Sequence, residues 1–168
     1  FVSNNSWTAF SAKDGLLWIG NFNGNLYKIN SSGKVILPFT NMHRPSANSF
    51  YEDDNGALWI ATDNGLVYKP AHGKEKIFLH DPHNSNSLTS NGVDVIRADE
   101  SGKLWIGTYP GSQNATAGGL DKFDPITHSF THYQHNAKDT NSLGSNDIYD
   151  LYLASDKSLW RGTDYGLA

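Results

Sequence analysis

Seven histidines and a group of aspartates are the residues of this chain whose side chains could bind a metal or act in catalysis. The histidines are scattered. His128 and His132 fall on one face of a short alternating segment, but no His-Glu-x-x-His or comparable ligand spacing occurs. The chain has no cysteine, which excludes thiolate metal sites, disulfides and cysteine nucleophiles. We therefore interpret the histidines as surface or edge residues, and the sequence predicts no metal site and no cofactor.

The aspartates that stand out lie in short polar segments such as "DDNG" and "DESG". Asp side chains in tight turns accept hydrogen bonds from the backbone two residues further on, which explains their presence there. The spacing of a calcium-binding loop is absent, and so is a Gly-x-Ser-x-Gly nucleophile motif. The sequence therefore predicts turn residues and no catalytic group at Asp53, Asp54, Asp99 and Asp156.

Asparagine recurs in two similar segments, "NSNSLTSN" at 84–91 and "TNSLGSN" at 140–146. One interpretation is local: Asn and Ser side chains satisfy the loop backbone, and Leu88 and Leu143 fill apolar space beneath it. The other concerns binding, because Asn91 and Asn146 occupy equivalent positions just before a predicted strand. Their amides could contact a hydroxyl group of a ligand.

A polar insertion interrupts "KLWIGTYPGSQNATAGGLDKFD" at 103–124, where "PGSQNATA" at 110–117 has no counterpart in the preceding unit. Packing does not require these small polar residues, and a longer surface loop costs little free energy. A tolerated insertion is one explanation. The other is a lid or rim of a ligand site, in which the ring of Tyr109 covers a sugar face and the amides of Gln113 and Asn114 bind hydroxyls.

The elements that must position these residues repeat along the chain. The motif "LW" recurs at Trp18, Trp59, Trp105 and Trp160, with spacings of 41, 46 and 55 residues. A turn precedes each motif and short β-favouring runs flank it, which predicts units of four antiparallel strands. No segment keeps the apolar spacing of a helix. The sequence therefore predicts an all-β fold, a β-propeller fragment of about three and a half blades in one partial domain: 5–40, 46–80, 92–134 and a partial blade at 147–168.

The repeated tryptophans should be core residues, because burial of an indole ring stabilises the fold only where a neighbouring blade covers the ring. We expect Trp59 and Trp105 to be mostly buried. Three and a half blades expose apolar faces, so we expect self-association or further blades from a parent chain. A net charge of −4 without a basic block argues against nucleic acid and anionic membranes as partners. No apolar run approaches the ~20 residues of a membrane span, so no membrane insertion of this segment is expected.

The segments "SNGVDVIRADESGKLWIGT", "GGLDKFDPITHSFTHY" and "NSLGSNDIYDLYLAS" together resemble the two-component regulator propeller repeats. This resemblance implies a periplasmic or extracellular sensor module of a bacterial hybrid two-component system or of a membrane-bound diguanylate cyclase. Its ligand would be a glycan or another small molecule, and the segment itself would not be an enzyme. Two alternatives stay open. "GLLWIGNFNGNLYKINSSGK" also resembles the repeats of streptogramin lyases, which are propeller enzymes, and a protein-interaction scaffold is the third possibility.

Overall fold

The computed structural model describes residues 6–21, 26–39, 46–110 and 118–167, and all regular structure within them is β-strand. In these ranges no helix is present that could cross a membrane. The strands form four sheets, in which each strand pairs antiparallel with its neighbours in sequence. The first sheet contains β1 (Ser6–Ser11), β2 (Leu17–Asn21), β3 (Leu26–Ile29) and β4 (Val35–Phe39). The second contains β5 (Ala47–Glu52), β6 (Leu58–Thr62), β7 (Gly65–Lys69) and β8 (Lys76–Phe78).

The third and fourth sheets follow the same plan. The third contains β9 (Gly92–Ala98), β10 (Leu104–Tyr109), β11 (Gly119–Asp124) and β12 (Ser129–Tyr133). The fourth has three described strands, β13 (Ile148–Leu153), β14 (Leu159–Thr163) and β15 (Gly166–Leu167). The tryptophan motifs lie on the second strand of each sheet, as predicted. The all-β propeller fragment predicted from the repeats is therefore confirmed.

Aspartate turns join the first and second strands of the sheets. In the third sheet Asp99 Oδ1 accepts hydrogen bonds from the backbone nitrogens of Ser101 and Lys103, at 2.9 and 3.1 Å. Gly102 completes this turn with a φ of +77°, a conformation that side chains with a Cβ rarely adopt. Asp53 makes the equivalent bonds in the second sheet. The prediction that these aspartates are turn residues is thus confirmed for Asp53 and Asp99.

Each sheet packs on the next one through two different faces. Because side chains alternate along a strand, Trp59 and Leu66 lie on one face of the second sheet, which we call its tryptophan face. Leu58 and Ile60 lie on the other, its aliphatic face. The tryptophan face of the first sheet packs on the aliphatic face of the second, and the same contact joins the second to the third and the third to the fourth.

The four tryptophans differ in burial. Trp18 and Trp59 are 6% and 3% exposed, whereas Trp160 of the fourth sheet is 45% exposed. Burial of Trp59 is confirmed. Trp105 is less deeply buried than Trp59 but packs against the core between the third and fourth sheets, so most of its ring is covered, as predicted. The fourth sheet, which covers it, presents Arg161 at the register position where the third sheet presents Ile106. A crevice lined by Lys122, Lys157 and Leu159 lies beside the Trp105 ring.

Candidate functional site

A β-bulge lies at the same place on the first strand of every sheet. The pairing between first and second strands shifts by one residue there, between Ser6 and Thr8 in the first sheet and at equivalent positions in the others. Bulges leave one residue without a ladder partner and redirect its side chain, and they are common next to functional sites. The extra residues, which we call the bulge positions, are Trp7, Asn48, Asp94 and Tyr149.

Sequence analysis missed these positions, although a signal was present. Apolar residues on one face of a regular strand recur at every second position. In the third and fourth sheets, the two buried apolar residues on one face of the first strand are instead three positions apart. Val93 and Ile96 are 0% and 1% exposed, and both lie on the aliphatic face of the third sheet. Ile148 and Leu151 repeat the pattern in the fourth sheet. A spacing of three within a strand requires an extra residue and therefore predicts a bulge.

The first strands of all four sheets line a shared cavity of about 570 Å³, and they are the inner strands of the propeller fragment. Asn48, Asp94 and Tyr149 contribute to its wall. A volume of this order is within the range of small-molecule sites, which extends from ~300 to 1,000 Å³. The cavity therefore combines ligand-sized space with a polar side chain from each of three successive sheets.

A hydrogen-bond network holds the bulge position of the second sheet in place. Asn48 Nδ2 donates to Asp63 Oδ1 and to the backbone oxygen of Val93, both at 2.9 Å. The hydroxyl group of Tyr109 donates to the same Asp63 oxygen at 2.8 Å. Burial of the phenol, followed by this bond to a carboxylate, raises the pKa of Tyr109. Asp63, on the turn after β6, thus joins Asn48 to the third sheet.

Asp94 is a half-buried carboxyl group near other acids. Burial raises the pKa of Asp94 to about 6, and the negative charges of Asp63 and Asp147 act in the same direction. Among the described residues, the cation that lies nearby in the cavity wall is Arg97, and it pairs with Asp150 at 3.0 Å. The carboxyl group of Asp94 can therefore exchange a proton near neutral pH, and can either accept or donate a hydrogen bond.

Of the three residues predicted to form a lid or rim, the structure describes Tyr109. Tyr109 ends β10, and its ring packs so closely over Gly92 that a Cβ there would lie 2.9 Å from Tyr109 Cζ. Its hydroxyl group donates to Asp63, so Tyr109 connects the third sheet to the second. Gln113 and Asn114 lie outside the described residues. The lid or rim therefore stays a prediction.

Asn91 and Asn146 have a structural role that the sequence left open. Asn91 Oδ1 accepts a hydrogen bond from the backbone nitrogen of His80 at 2.7 Å, and Asn146 Oδ1 accepts the same bond from His135 at 2.6 Å. Each asparagine thereby closes the connection from the fourth strand of one sheet to the first strand of the next. Leu88 is 1% exposed beneath the first of these connections. The local interpretation of both segments is supported, and a ligand contact by either asparagine stays a prediction.

Three histidines hold these connections, although sequence analysis treated all histidines as surface or edge residues. His80 Nδ1 and His135 Nδ1 each lie 2.6 Å from a backbone oxygen, that of Leu88 and Leu143 respectively. His132 Nδ1 lies 2.7 Å from Asp121 Oδ1. The repeat of His and Asn eleven residues apart was the sequence signal for this loop structure.

The ring of His132 bridges β11 and the connection between the second and third sheets. Its Nε2 lies 2.8 Å from the backbone oxygen of Ser85, and its Nδ1 faces the fully buried carboxylate of Asp121. Both partners can only accept hydrogen bonds, so both ring nitrogens must carry protons. The bond to Asp121 accordingly raises the pKa of His132. Thr89 also donates to Asp121, through its backbone nitrogen at 2.8 Å and its hydroxyl group.

A second cavity, of about 550 Å³, lies along this connection and includes Ser87, Thr89 and His132 in its wall. These three side chains are already bonded within the protein, Ser87 to backbone oxygens and the other two to Asp121. The inner-strand cavity is the better candidate, because side chains from different sheets converge on it. Within the described residues, no three histidines or acids are grouped to hold a metal ion.

Comparison with known proteins identifies a family repeat in the second sheet. Residues 44–64 match the family model described as two component regulator propeller. This segment covers β5 and β6, and therefore the bulge position Asn48. No curated protein matches the chain.

Solved structures with the same arrangement include two proteins from B. thetaiotaomicron. The extracellular domain named as that of the hybrid two component system BT4673 is 26% identical, with a TM-score of 0.71, over 99% of this chain and 21% of that one. That of BT3049 gives the same identity, TM-score and coverage. This chain thus spans about a fifth of their length. The structure of a virginiamycin B lyase from Staphylococcus aureus matches with a TM-score of 0.67, and the match covers 100% of this chain and 56% of the lyase chain. At 13% identity this likeness shows the fold alone.

Proposed function

Because this chain carries the two-component regulator propeller repeat, we propose that it is a ligand-binding part of the extracytoplasmic region of a bacterial signalling protein. The support is the match at residues 44–64 and the likeness to extracellular domains of two proteins named as hybrid two-component systems. In this proposal the propeller fragment detects a ligand outside the cytoplasm, and other parts of the parent protein produce the output.

The observation that carries the proposal is the recurrence of the bulge at the cavity wall. A bulge interrupts the strand ladder, so its repetition in every sheet needs a reason. The described side chains at these positions, Asn48, Asp94 and Tyr149, are all capable of hydrogen bonding. If the bulges served packing alone, apolar residues would suit them equally well.

We propose a carbohydrate, or another small polar ligand with several hydroxyl groups, as the occupant of the cavity. Both hydrogens of the Asn48 amide nitrogen donate within the protein, so its Oδ1 is the atom that can accept from a ligand hydroxyl group. The carboxyl group of Asp94 can accept from a second hydroxyl group. The ring of Tyr149 is 50% exposed and can cover the apolar face of a sugar. The set of an amide, a carboxyl group and an aromatic ring matches the mixed surface of a pyranose.

An enzymatic role of the streptogramin lyase type has less support. That role would need a histidine and an acid facing the central channel. Asp94 lines the inner-strand cavity, but no described histidine does. We therefore propose that this segment binds its ligand without converting it. Incubation with candidate ligands, followed by mass spectrometry, should show no product, and a turnover product would favour the lyase.

The proposal is tested by isothermal titration calorimetry of the chain against a panel of oligosaccharides. We expect saturable binding of at least one member and its loss in Tyr149→Ala. Tyr165→Ala is the matched control, because Tyr165 also belongs to the fourth sheet, is 85% exposed and lies outside the cavity wall. No binding across the panel, or equal binding by Tyr149→Ala, would refute a carbohydrate site at the cavity.

A further inference from the structure

The carboxyl group of Asp94 differs from the other polar groups of the inner-strand cavity in its lack of a partner. Asn48 donates both amide hydrogens within the protein, each at 2.9 Å. Arg97 donates to the backbone oxygen of Ile96 at 2.8 Å and pairs with Asp150 at 3.0 Å. Within the described residues, no group donates a hydrogen bond to the Asp94 carboxyl group or forms an ion pair with it.

The charge of the cavity wall is negative overall. Of the described residues that line it, Asp94, Arg97 and Asp150 carry charge at neutral pH, and the last two neutralise each other as an ion pair. Burial raises the pKa of Asp94, and the negative charges of Asp63 and Asp147 raise it further. A cation that enters the cavity is therefore attracted to a carboxylate that no protein group neutralises, whereas an anion is repelled.

Aromatic rings in the same wall also suit a cation. Tyr149 lies at the bulge position of the fourth sheet with an exposed ring, and Phe10 and Tyr51 line the cavity beside it. The face of an aromatic ring attracts an ammonium group that lies within about 6 Å of the ring centre. A neutral hydroxyl group in the same place can form a hydrogen bond to the carboxyl group, but it gains neither this attraction nor that of the carboxylate charge.

We propose that the preferred ligand of the inner-strand cavity carries an ammonium group among its hydroxyl groups, as an amino sugar does, and that the ammonium group pairs with Asp94. This inference rests on the proposed carbohydrate site and specifies the class of sugar. The half-buried carboxyl group has lost part of its hydration on folding, so pairing it costs less further desolvation than pairing an exposed acid. Sugars that carry a carboxylate are disfavoured by the same charges.

An NMR titration of the isotopically labelled chain at pH 7 with matched monosaccharides tests the proposal. The pairs are glucosamine with glucose, galactosamine with galactose, and mannosamine with mannose, and within each pair an amino group replaces one hydroxyl group. In at least one pair, the amino sugar should bind at least about fivefold more tightly, because a charge-assisted hydrogen bond is stronger than a neutral one. The signals of Asn48 and Tyr149 report this binding. Higher salt should reduce the preference, and N-acetylation, which removes the charge, should abolish it.

The main variant is Asp94→Asn, which keeps the shape of the side chain and should abolish the preference for the amino sugar. Asp139→Asn is the matched control, since it makes the same change of charge at an exposed position on a connection. There the asparagine oxygen can still accept the hydrogen bond from the backbone nitrogen of Asn141. This control should keep the preference of the unmodified chain.

The possible outcomes separate this inference from the carbohydrate site on which it rests. Equal affinities in every pair, with the Asn48 and Tyr149 signals shifted by both sugars, would overturn the charge preference and leave the carbohydrate site in place. A preference that Asp94→Asn retains would also overturn the pairing with Asp94. If no sugar shifts these signals, both proposals are refuted.

Discussion

The side-chain amide of Asn48 donates a hydrogen bond to the backbone oxygen of Val93, 2.9 Å away, and so ties the bulge of the second sheet to the residue before the bulge of the third. The same nitrogen donates to Asp63. The cavity wall is therefore a bonded unit across sheets, and its residues affect stability as well as binding.

Replacing Asn48 by Ala should lower the free energy of unfolding by about 1–2 kcal/mol, because two hydrogen bonds are lost and the Asp63 carboxylate loses a donor. Urea unfolding followed by tryptophan fluorescence measures this. Asn141→Ala, at an exposed asparagine of a connection, should change stability by less than about 0.5 kcal/mol. Equal effects of the two variants would show that the bonds of Asn48 contribute nothing.

Replacing Trp59 by Ala should cost about 3–5 kcal/mol, because it removes a ring buried between the second and third sheets. The comparison variant is Trp160→Ala, with the same chemical change at the same position of the repeat. Since Trp160 is 45% exposed, its loss should cost about 1 kcal/mol or less. Thermal unfolding distinguishes the cases, and similar melting temperatures for both variants would contradict the packing described.

The sequence predicted the strands and turns well, because both depend on short-range patterns. The Leu-Trp motifs identified β6 and β10, and the Asp and Gly turn residues marked the hairpins before them. The candidate functional site was harder to predict from the sequence. Tyr109 was singled out for its loop, but its contact with Asp63 joins residues of two sheets, which no local pattern shows. Asn48 and Asp94 were overlooked because a bulge appears in sequence as an irregular strand.

Replacing Asp94 by Asn should stabilise the protein at pH 7 by about 1 kcal/mol, a value reduced for the water that reaches this half-buried group. The folded pKa of about 6 lies above the unfolded value of 3.8, so ionisation of Asp94 opposes folding. Its contribution to stability is greatest below pH 3.8 and is lost as the pH rises toward 6. The melting temperature difference between variant and unmodified chain should therefore be small at pH 4 and grow up to pH 7. A constant difference would exclude the shifted carboxyl group.

Replacing His132 by Ala should destabilise the protein more at low pH than at high pH. Hydrogen bonding to Asp121 raises the pKa of His132 above its ordinary value of 6.5. The contacts of His132 therefore stabilise the protein fully below pH 6.5, and this stabilisation is lost as the pH rises through the folded pKa. The variant should therefore lose more stability at pH 5 than at pH 9, measured by urea unfolding. His72→Ala, at an exposed histidine, serves as the control and should change stability by less than about 0.5 kcal/mol. A loss independent of pH would mean that His132 acts through packing alone.

The most direct test of the central claim, that the inner-strand cavity binds the ligand, is a two-dimensional NMR titration of the isotopically labelled chain with the oligosaccharide panel. The account predicts that a binding oligosaccharide shifts the side-chain amide signal of Asn48 and the backbone signals of Asp94 and Tyr149 more than those of other residues. Signals at Ser87 and Thr89, which line the second cavity, should stay unchanged. No shift with any member, or shifts confined to residues outside the inner strands, would contradict the claim.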